Sequence, residues 1–265
     1  MLQSIQFFGL TIRMYRFWNT ISGIIMTCYI LCHSKAYVAI CPTALRQKDK
    51  LRRILVGGGE IVTLIVIITL LVTALNKEFG DWFTHGNANY YGTLTAWVVS
   101  IVIVTKIYKV PALKVLDFLT PGLPLSLFFS KLGCFCYGCC SGFEMGESWY
   151  FNHSTGLYEF PVQIVEAIVA LAIFFVIRYY EKHNKFSGSV FPLFLLLYSV
   201  SRFLTEFLRA DFPNVVGPLD AYQVLSIPFL LLGGLFLYIV WAYRSEIEKR
   251  QTPKICHKLS AKKNC

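Results

Sequence analysis

Seven apolar runs, near residues 14–33, 54–75, 90–105, 112–130, 161–178, 188–207 and 222–243, each approach the length that a bilayer demands of one helix. A hydrocarbon core of about 30 Å takes about 20 predominantly apolar residues per crossing. Lipid offers no partner to an open backbone, so a segment of this kind spans as a helix. The expectation is therefore an all-α membrane protein with seven transmembrane helices. With 55% hydrophobic and only 15% charged residues, the chain has little polar surface to spare for anything but short loops. Residues 1–243 form one membrane domain and 244–265 a basic tail.

The formal charge of +10 does not point to nucleic acid. The basic residues lie in the gaps between apolar runs rather than on an amphipathic face, which is where topology places them. With seven crossings, one side of the membrane holds 19 of the 25 Lys and Arg residues, counting Lys114 and Arg178 at the span edges. The other side holds Arg13, Arg16, Lys77, Lys131, Arg202 and Arg209. The excess of positive charge marks the cytoplasmic face, so the N-terminus is expected outside and the C-terminus inside. The run at 112–130 is interrupted by Asp117, Pro121, Gly122 and Pro124, yet omitting it would put the basic tail on the wrong side. No removable signal peptide is legible, so the first helix is expected to serve as the insertion signal. The tail is expected on anionic headgroups.

Ionisable groups within spans cost about 2.5–3.5 kcal/mol each on insertion, which singles out Glu60, Asp117, Glu166, Arg202, Glu206 and Arg209. Arg202, Glu206 and Arg209 recur at i, i+4 and i+7, on one helical face at the outer end of the sixth span. Such a face serves either as an interfacial ion-pair ladder or as an anion site in which two guanidinium forks grip a phosphate. Gln163 and Glu166 open the fifth span on the same side, and Gln223 and Ser226 repeat that spacing at the seventh.

The stretch K-L-G-C-F-C-Y-G-C-C-S-G, Lys131 to Gly142, also falls on the outer side and carries four cysteines among three glycines. Cys136 and Cys139 have zinc-knuckle spacing with His153 within reach, but no second Cys-x-x-Cys follows, and no metal is expected. A disulfide or redox pair is open on an oxidising face. Gly133, Gly138 and Gly142 instead mark backbone that leaves helical form and turns sharply, as a loop lining a cavity would. Cys28, Cys32 and Cys41, in or beside the first span, read as small apolar filler.

These residues together resemble the bacterial prolipoprotein diacylglyceryl transferases. The cysteine stretch is similar to that family's R-I-G-N-F-x-N-G-E-x-x-G, with its three glycines and Phe135 in register. I-R-M-Y, ending at Tyr15, is similar to I-R-W-Y, and Asp117 and Pro121 to D-x-x-x-P. F-P-V-Q-I-V-E, ending at Glu166, is similar to H-P-x-Q-L-Y-E. Arg202, Glu206 and Arg209 match R-x-x-x-E-x-x-R, and Y-Q-V-L-S, with Gln223 and Ser226, is similar to G-Q-x-L-S.

The resemblance implies a multi-pass enzyme of the bacterial plasma membrane. It would move the diacylglyceryl group of phosphatidylglycerol onto the lipobox cysteine of a lipoprotein precursor, releasing glycerol phosphate and using no cofactor. It places Tyr91, Lys131, Arg202 and Glu206 at the chemistry. Tyr15, Gly133, Cys134, Gly138, Cys139, Gln163, Glu166, Arg209, Gln223 and Ser226 would bind substrate. The chain also departs from the pattern. Tyr91 stands where the family has the histidine assigned the base role, Lys131 where it has arginine, and Cys134, Tyr137 and Cys139 where it has two asparagines and an acid. Glu60 occupies the place of a further arginine. Three readings follow: a divergent transferase in which His85 or a cysteine thiolate takes the base role; a relative passing a phospholipid-derived group to another acceptor, with Cys134 or Cys139 as nucleophile; or a non-enzymatic protein with an outer redox or metal cluster.

Overall fold

Helices that lie among other helices and lipid can be apolar on every side, and here the backbone closes its own hydrogen bonds while side chains divide between protein and bilayer. The computed structural model describes residues 4–7, 10–13, 17–18, 21–25, 28–29, 90–107, 112–140, 142–147, 150–183, 188–210 and 214–261. The second apolar run at 54–75, Tyr15, Glu60, His85, Cys32 and Cys41 lie outside the described residues.

A hairpin of β1 (Ser4–Phe7) and β2 (Leu10–Arg13) comes first, followed by helical pieces at 17–18, 21–25 and 28–29. Then come α1 (Tyr90–Ile107), α2 (Ala112–Leu119), α3 (Gly122–Tyr137), a hairpin of β3 (Tyr150–Asn152) and β4 (Leu157–Glu159), α4 (Val162–His183) and α5 (Val190–Glu206). A last hairpin, β5 (Asn214–Val216) with β6 (Leu219–Asp220), leads into α6 (Ala221–Ala261). The three antiparallel hairpins depart from the all-helical expectation. Their strands are two to four residues long, too short for alternation to show in the sequence.

Val162–His183 and Ala221–Tyr243 are each long and apolar enough to cross a bilayer. Helices α2 and α3 together form a third such segment, bent by 41° at Thr120–Pro121. Proline at 121 withdraws a backbone donor, and the residue before it is steered away from helical angles. α6 continues as helix beyond residue 243, so the boundary expected there falls within an element. On α4, Ile168 and Phe175 are exposed, and on α6 so are Leu231, Leu232 and Leu235, as lipid-facing side chains would be. Tyr238, Trp241 and Tyr243 follow one another at the far end of that apolar stretch, the kind of aromatic belt that marks an interface.

The pieces of the first span run antiparallel to α2 and α3. The Trp18 ring stacks on Phe129 at 6.1 Å, Ser22 Oγ meets Ser126 Oγ at 2.5 Å, and Tyr29 lies against Phe118 at 6.4 Å and accepts from Arg178 Nη1 at 3.2 Å. α5 packs most extensively on α6, and α3 on α4. The buried core between them includes Ile101, Val104, Ile177 and Phe194, each fully enclosed.

Asp117 sits at the end of this core where α5 begins. Its carboxylate accepts from the backbone amides of Val190 (3.1 Å), Phe191 (3.0 Å) and Gly188. It thereby caps α5, whose own Ser189 makes no side-chain cap. The stray acid of the fourth apolar run is thus a helix cap supplied from a neighbouring helix.

The α5–α6 contact is close because Gly233 faces backbone: a Cβ there would lie 2.9 Å from Leu196 N and 3.2 Å from Pro192 O. Small residues permit such approaches between membrane helices. At the adjacent Gly234 a Cβ would only touch Leu196 Cδ1 at 3.8 Å. Gly233→Ala is expected to destabilise the purified protein by about 1–3 kcal/mol through overpacking. Gly234→Ala, read by the same thermal unfolding in detergent, should be nearly neutral.

Candidate active site

The C-terminal ends of α3 and α5 and the N-terminal ends of α4 and α6 converge on five charged side chains. Glu166, on the first turns of α4, is the centre. Its Oε2 pairs with Lys131 Nζ of α3 at 2.6 Å, and its Oε1 with Arg202 Nη1 of α5. Arg209 Nη1 lies 3.6 Å from the same Oε1. Glu206 forms the second node: its Oε2 takes Arg202 Nη2 at 2.7 Å, and Arg209 Nε stands 3.4 Å from its Oε1. The Arg202 guanidinium also lies 4.9 Å from the ring centre of Tyr222 on α6, a cation–π contact.

Arg202, Glu166 and Glu206 are 7%, 7% and 2% exposed, so these charges are held away from solvent. Within the hub three cations meet two carboxylates, with the buried Asp220 carboxylate close enough to Glu206 to act on it, and in so enclosed a setting these interactions are strong. A cavity of about 30 Å³ opens beside it, bounded by Lys131, Glu166, Ser201, Arg202 and Thr205 on its polar side. That volume takes water rather than a headgroup.

Backbone contacts lock the glycine-framed segment to this hub. It is helical as far as Tyr137, contrary to the expectation of a turned loop throughout. Gly133 lies inside α3, where its missing side chain admits Trp18, whose Cβ would stand 2.9 Å from an added Cβ. The chain leaves the helix only at Gly138, in left-handed conformation with φ 80°. Gly138 N donates to Cys134 O at 2.8 Å, and Asn152 Nδ2 donates to Gly138 O at 3.1 Å. Gln163 Nε2 donates to Cys139 O at 2.7 Å. Gly142 forms an antiparallel bridge with Arg209, and a Cβ there would run into Phe160 O. Phe143 N donates to Leu208 O at 3.3 Å, and Phe160 N to Phe143 O at 3.0 Å.

The structure therefore brings together Lys131, Gly133, Cys134, Gly138, Cys139, Gln163, Glu166, Arg202, Glu206 and Arg209. Gln163 is 1% exposed, and its Oε1 has no hydrogen-bond partner among the described residues. Tyr91 and Ser226 form a separate pair behind the hub. Ser226 Oγ donates to Tyr222 O at 2.7 Å, so its contact with Tyr91 Oη, also 2.7 Å, is one in which the tyrosine donates. Gln223 belongs to a capping box at the start of α6: Gln223 N donates to Asp220 Oδ1 at 2.8 Å, and Asp220 N to Gln223 Oε1 at 3.2 Å.

Of the cysteines, Cys134, Cys139 and Cys140 gather, with their sulfur atoms within 4.8 Å of one another. Cys136 is not among them, and His153 is turned edge-on to Phe151. The Cys140 thiol is pulled below the usual thiol range, first by hydrogen bonds with Cys134 and Cys139, then, against the effect of burial, by Lys131 and Arg209.

Two buried residues beneath this turn were not anticipated. Asn152 holds Gly138 O and also donates to Glu159 Oε2 at 2.9 Å. Both are almost fully enclosed. Their burial depends on the β3–β4 hairpin, and a polar turn of ordinary composition gives no local sign of it.

Helices long and apolar enough to cross a bilayer, with a buried cluster of charged side chains where four helix ends meet, define a membrane protein with an enclosed ionic site. The comparisons narrow this class. Residues 4–240 match the family model described as prolipoprotein diacylglyceryl transferase. A phosphatidylglycerol–prolipoprotein diacylglyceryl transferase 2 of Clostridium perfringens is 31% identical over 193 residues, 68% of this chain and 72% of the relative. The corresponding transferase of Clostridium tetani is 28% identical over 197 residues, 71% of this chain and 77% of the relative. That of Mannheimia succiniciproducens is 28% identical over 202 residues, 74% of this chain and 75% of the relative. The chain belongs to the prolipoprotein diacylglyceryl transferase family.

Removing one partner of a buried pair strands the others, at about 3–5 kcal/mol. Glu166→Gln should lower unfolding stability by that amount. Glu181→Gln, which breaks the half-exposed pair with Arg178, should cost less than about 1 kcal/mol in the same denaturation series.

Proposed function

We propose that the protein transfers the diacylglyceryl group of phosphatidylglycerol to the lipobox cysteine thiol of a lipoprotein precursor, releasing glycerol phosphate. The observation that carries this reading is the buried hub in which Lys131, Arg202 and Arg209 are held in place by Glu166 and Glu206. Breaking the glycerol carbon–oxygen bond loads negative charge onto the departing phosphate. Forks already held in place by carboxylates stabilise that charge without reorganising as it develops.

Arg202 and Arg209 hold the phosphate end, and Glu166 and Glu206 keep their forks oriented. Lys131, 19% exposed at its side chain, meets the incoming headgroup first. The unpartnered Gln163 Oε1 accepts from a glycerol hydroxyl. Tyr91, with Ser226 and Gln223, backs the hub from α1 and α6, and Gly133, Gly138, Cys134 and Cys139 shape the wall beside it. Tyr15 completes the substrate side as the resemblance implies.

The architecture that goes with this reading has seven crossings over residues 1–243. The N-terminus is outside, the 244–265 tail is cytoplasmic, and the hub lies at the outer leaflet of a bacterial plasma membrane. Nucleic acid has no part in it, since the basic residues are distributed as topology requires.

The purified protein, mixed with phosphatidylglycerol vesicles and a lipobox peptide, should yield a thioether-linked diacylglyceryl peptide by mass spectrometry. It should also restore growth to cells depleted of their own transferase. Arg202→Lys and Arg209→Lys keep the charge and lose the fork, and each should reduce transfer about 10²–10³-fold, the loss typical of one preorganised donor. Absence of lipidated peptide with the intact protein would refute the proposal.

A further inference from the structure

The Cys134, Cys139 and Cys140 cluster has no part in phosphate binding, yet it is built with some care. Cys134 is on the last turn of α3, at i+3 from Lys131 and so on the same helical face. The helix then stops at Gly138, with φ 80°, and Cys140 itself is held at φ 65°. It is the only non-glycine residue with positive φ among the described residues, and that conformation costs about 1–2 kcal/mol. These two left-handed residues turn the chain back on itself, so that the thiols of 139 and 140 face that of 134. Gln163 and Asn152 hold the turn through Cys139 O and Gly138 O. All three sulfur atoms lie within 4.8 Å of one another, and the group contains three donors.

Cys134 is buried, while Cys139 and Cys140 are half-exposed, so the cluster is covered on one side and open on the other. Tetrahedral zinc with sulfur at about 2.3 Å requires sulfur–sulfur separations of about 3.8 Å, within a side-chain rotation of this arrangement. Three protein ligands and an open fourth position are the pattern of a catalytic rather than a structural zinc. The absence of a second Cys-x-x-Cys argued against metal in the sequence. In the folded chain the third ligand comes instead from inside the helix, and Cys136 is not used.

The acceptor thiol must lose its proton before it can attack, and the described residues offer few bases for that step. Glu166 and Glu206 are committed to cations, and the Tyr91 hydroxyl donates to Ser226. His153 packs edge-on against Phe151, and His183 lies at the far end of α4. A metal with a vacant position solves this directly, because a thiol that coordinates it is deprotonated outright.

We infer that Cys134, Cys139 and Cys140 bind a zinc-class divalent ion whose fourth position takes the acceptor cysteine of the substrate peptide as thiolate. This rests on the transferase reading above. The thiol proton passes to solvent on coordination. The sulfur then forms its bond to the glycerol carbon that carries the phosphate, the carbon–oxygen bond breaks, and the electron pair leaves on glycerol phosphate toward Arg202 and Arg209.

The test uses the full-length protein purified in detergent under reducing conditions, with Zn²⁺ and Co²⁺ as probes. A stoichiometric ion should be retained by the wild type and by Cys136→Ser, and lost from Cys134→Ser, Cys139→Ser and Cys140→Ser. The cobalt form should show sulfur-to-metal charge-transfer absorption that changes on addition of a lipobox peptide but not of its Cys-to-Ser counterpart. Chelation should lower transfer from phosphatidylglycerol about 10²–10⁴-fold, the usual worth of activating the nucleophile by proton removal. A disulfide within the trio in protein isolated without reductant, retention of copper instead of zinc, or a cobalt spectrum indifferent to the peptide thiol would each overturn the inference. Undiminished transfer after metal removal would overturn it and leave the transferase intact. A thiol-responsive metal site without any transfer would support the metal site and sink the transferase reading.

Discussion

One half of this structure depends on the carboxylate of Glu166. It is buried, and it is reached by a lysine from α3, an arginine from α5 and a second arginine from the turn beyond α5. An ion moved out of water without partners costs several kcal/mol, so neither the cations nor the acid could be enclosed alone. Their mutual neutralisation fixes the relative positions of three helix ends. The backbone repeats the constraint: Gly142 pairs with Arg209, and Phe143 bridges Leu208 and Phe160. A glycine is required at 142 because any side chain would collide with the Phe160 carbonyl. The ionic and backbone links thus join the same three segments.

The two ends of the bundle treat buried charge in opposite ways. Asp117, at the end where α5 begins, accepts from that helix's first amides, so that the helix dipole offsets part of its charge. At the other end, carboxylates face side-chain cations drawn from three segments. Apolar residues of similar volume would serve stability as well or better.

Much of this was legible locally. Arg202, Glu206 and Arg209 share a face because helical spacing is a property of the segment itself, and the structure keeps them together. The bend in the fourth apolar run follows from Pro121. The Asp220-x-x-Gln223 capping box was also present in the sequence, although Gln223 read more naturally as a cavity residue. The pairing of Glu166 with Lys131 could not be read in this way, since it depends on how α3 crosses α4. The cysteines show the same limit. Spacing drew attention to Cys136 and Cys139, whereas the fold selects Cys134, Cys139 and Cys140 through a helix stop at Gly138 that determines which sulfurs turn inward. Asn152 and Glu159 were invisible because the hairpin that buries them has strands of only three residues.

The five side chains of the hub are not held equally firmly. The cavity of about 30 Å³ beside them has room for water. The carboxylates cannot leave without stranding cations, and the two arginines are the less accessible ones, at 9% and 5% side-chain exposure against 19% for Lys131. Lys131 is also a single ammonium on a flexible stem, whereas Arg202 is fixed by two carboxylates and an aromatic ring. The contact that gives way at least cost is therefore the one between Lys131 and Glu166. Glu166 then remains paired with Arg202 and Arg209, and the volume vacated by the lysine adds to the cavity. Where arginine would hold its carboxylate with a rigid fork, lysine at this position makes its contact with Glu166 a reversible one.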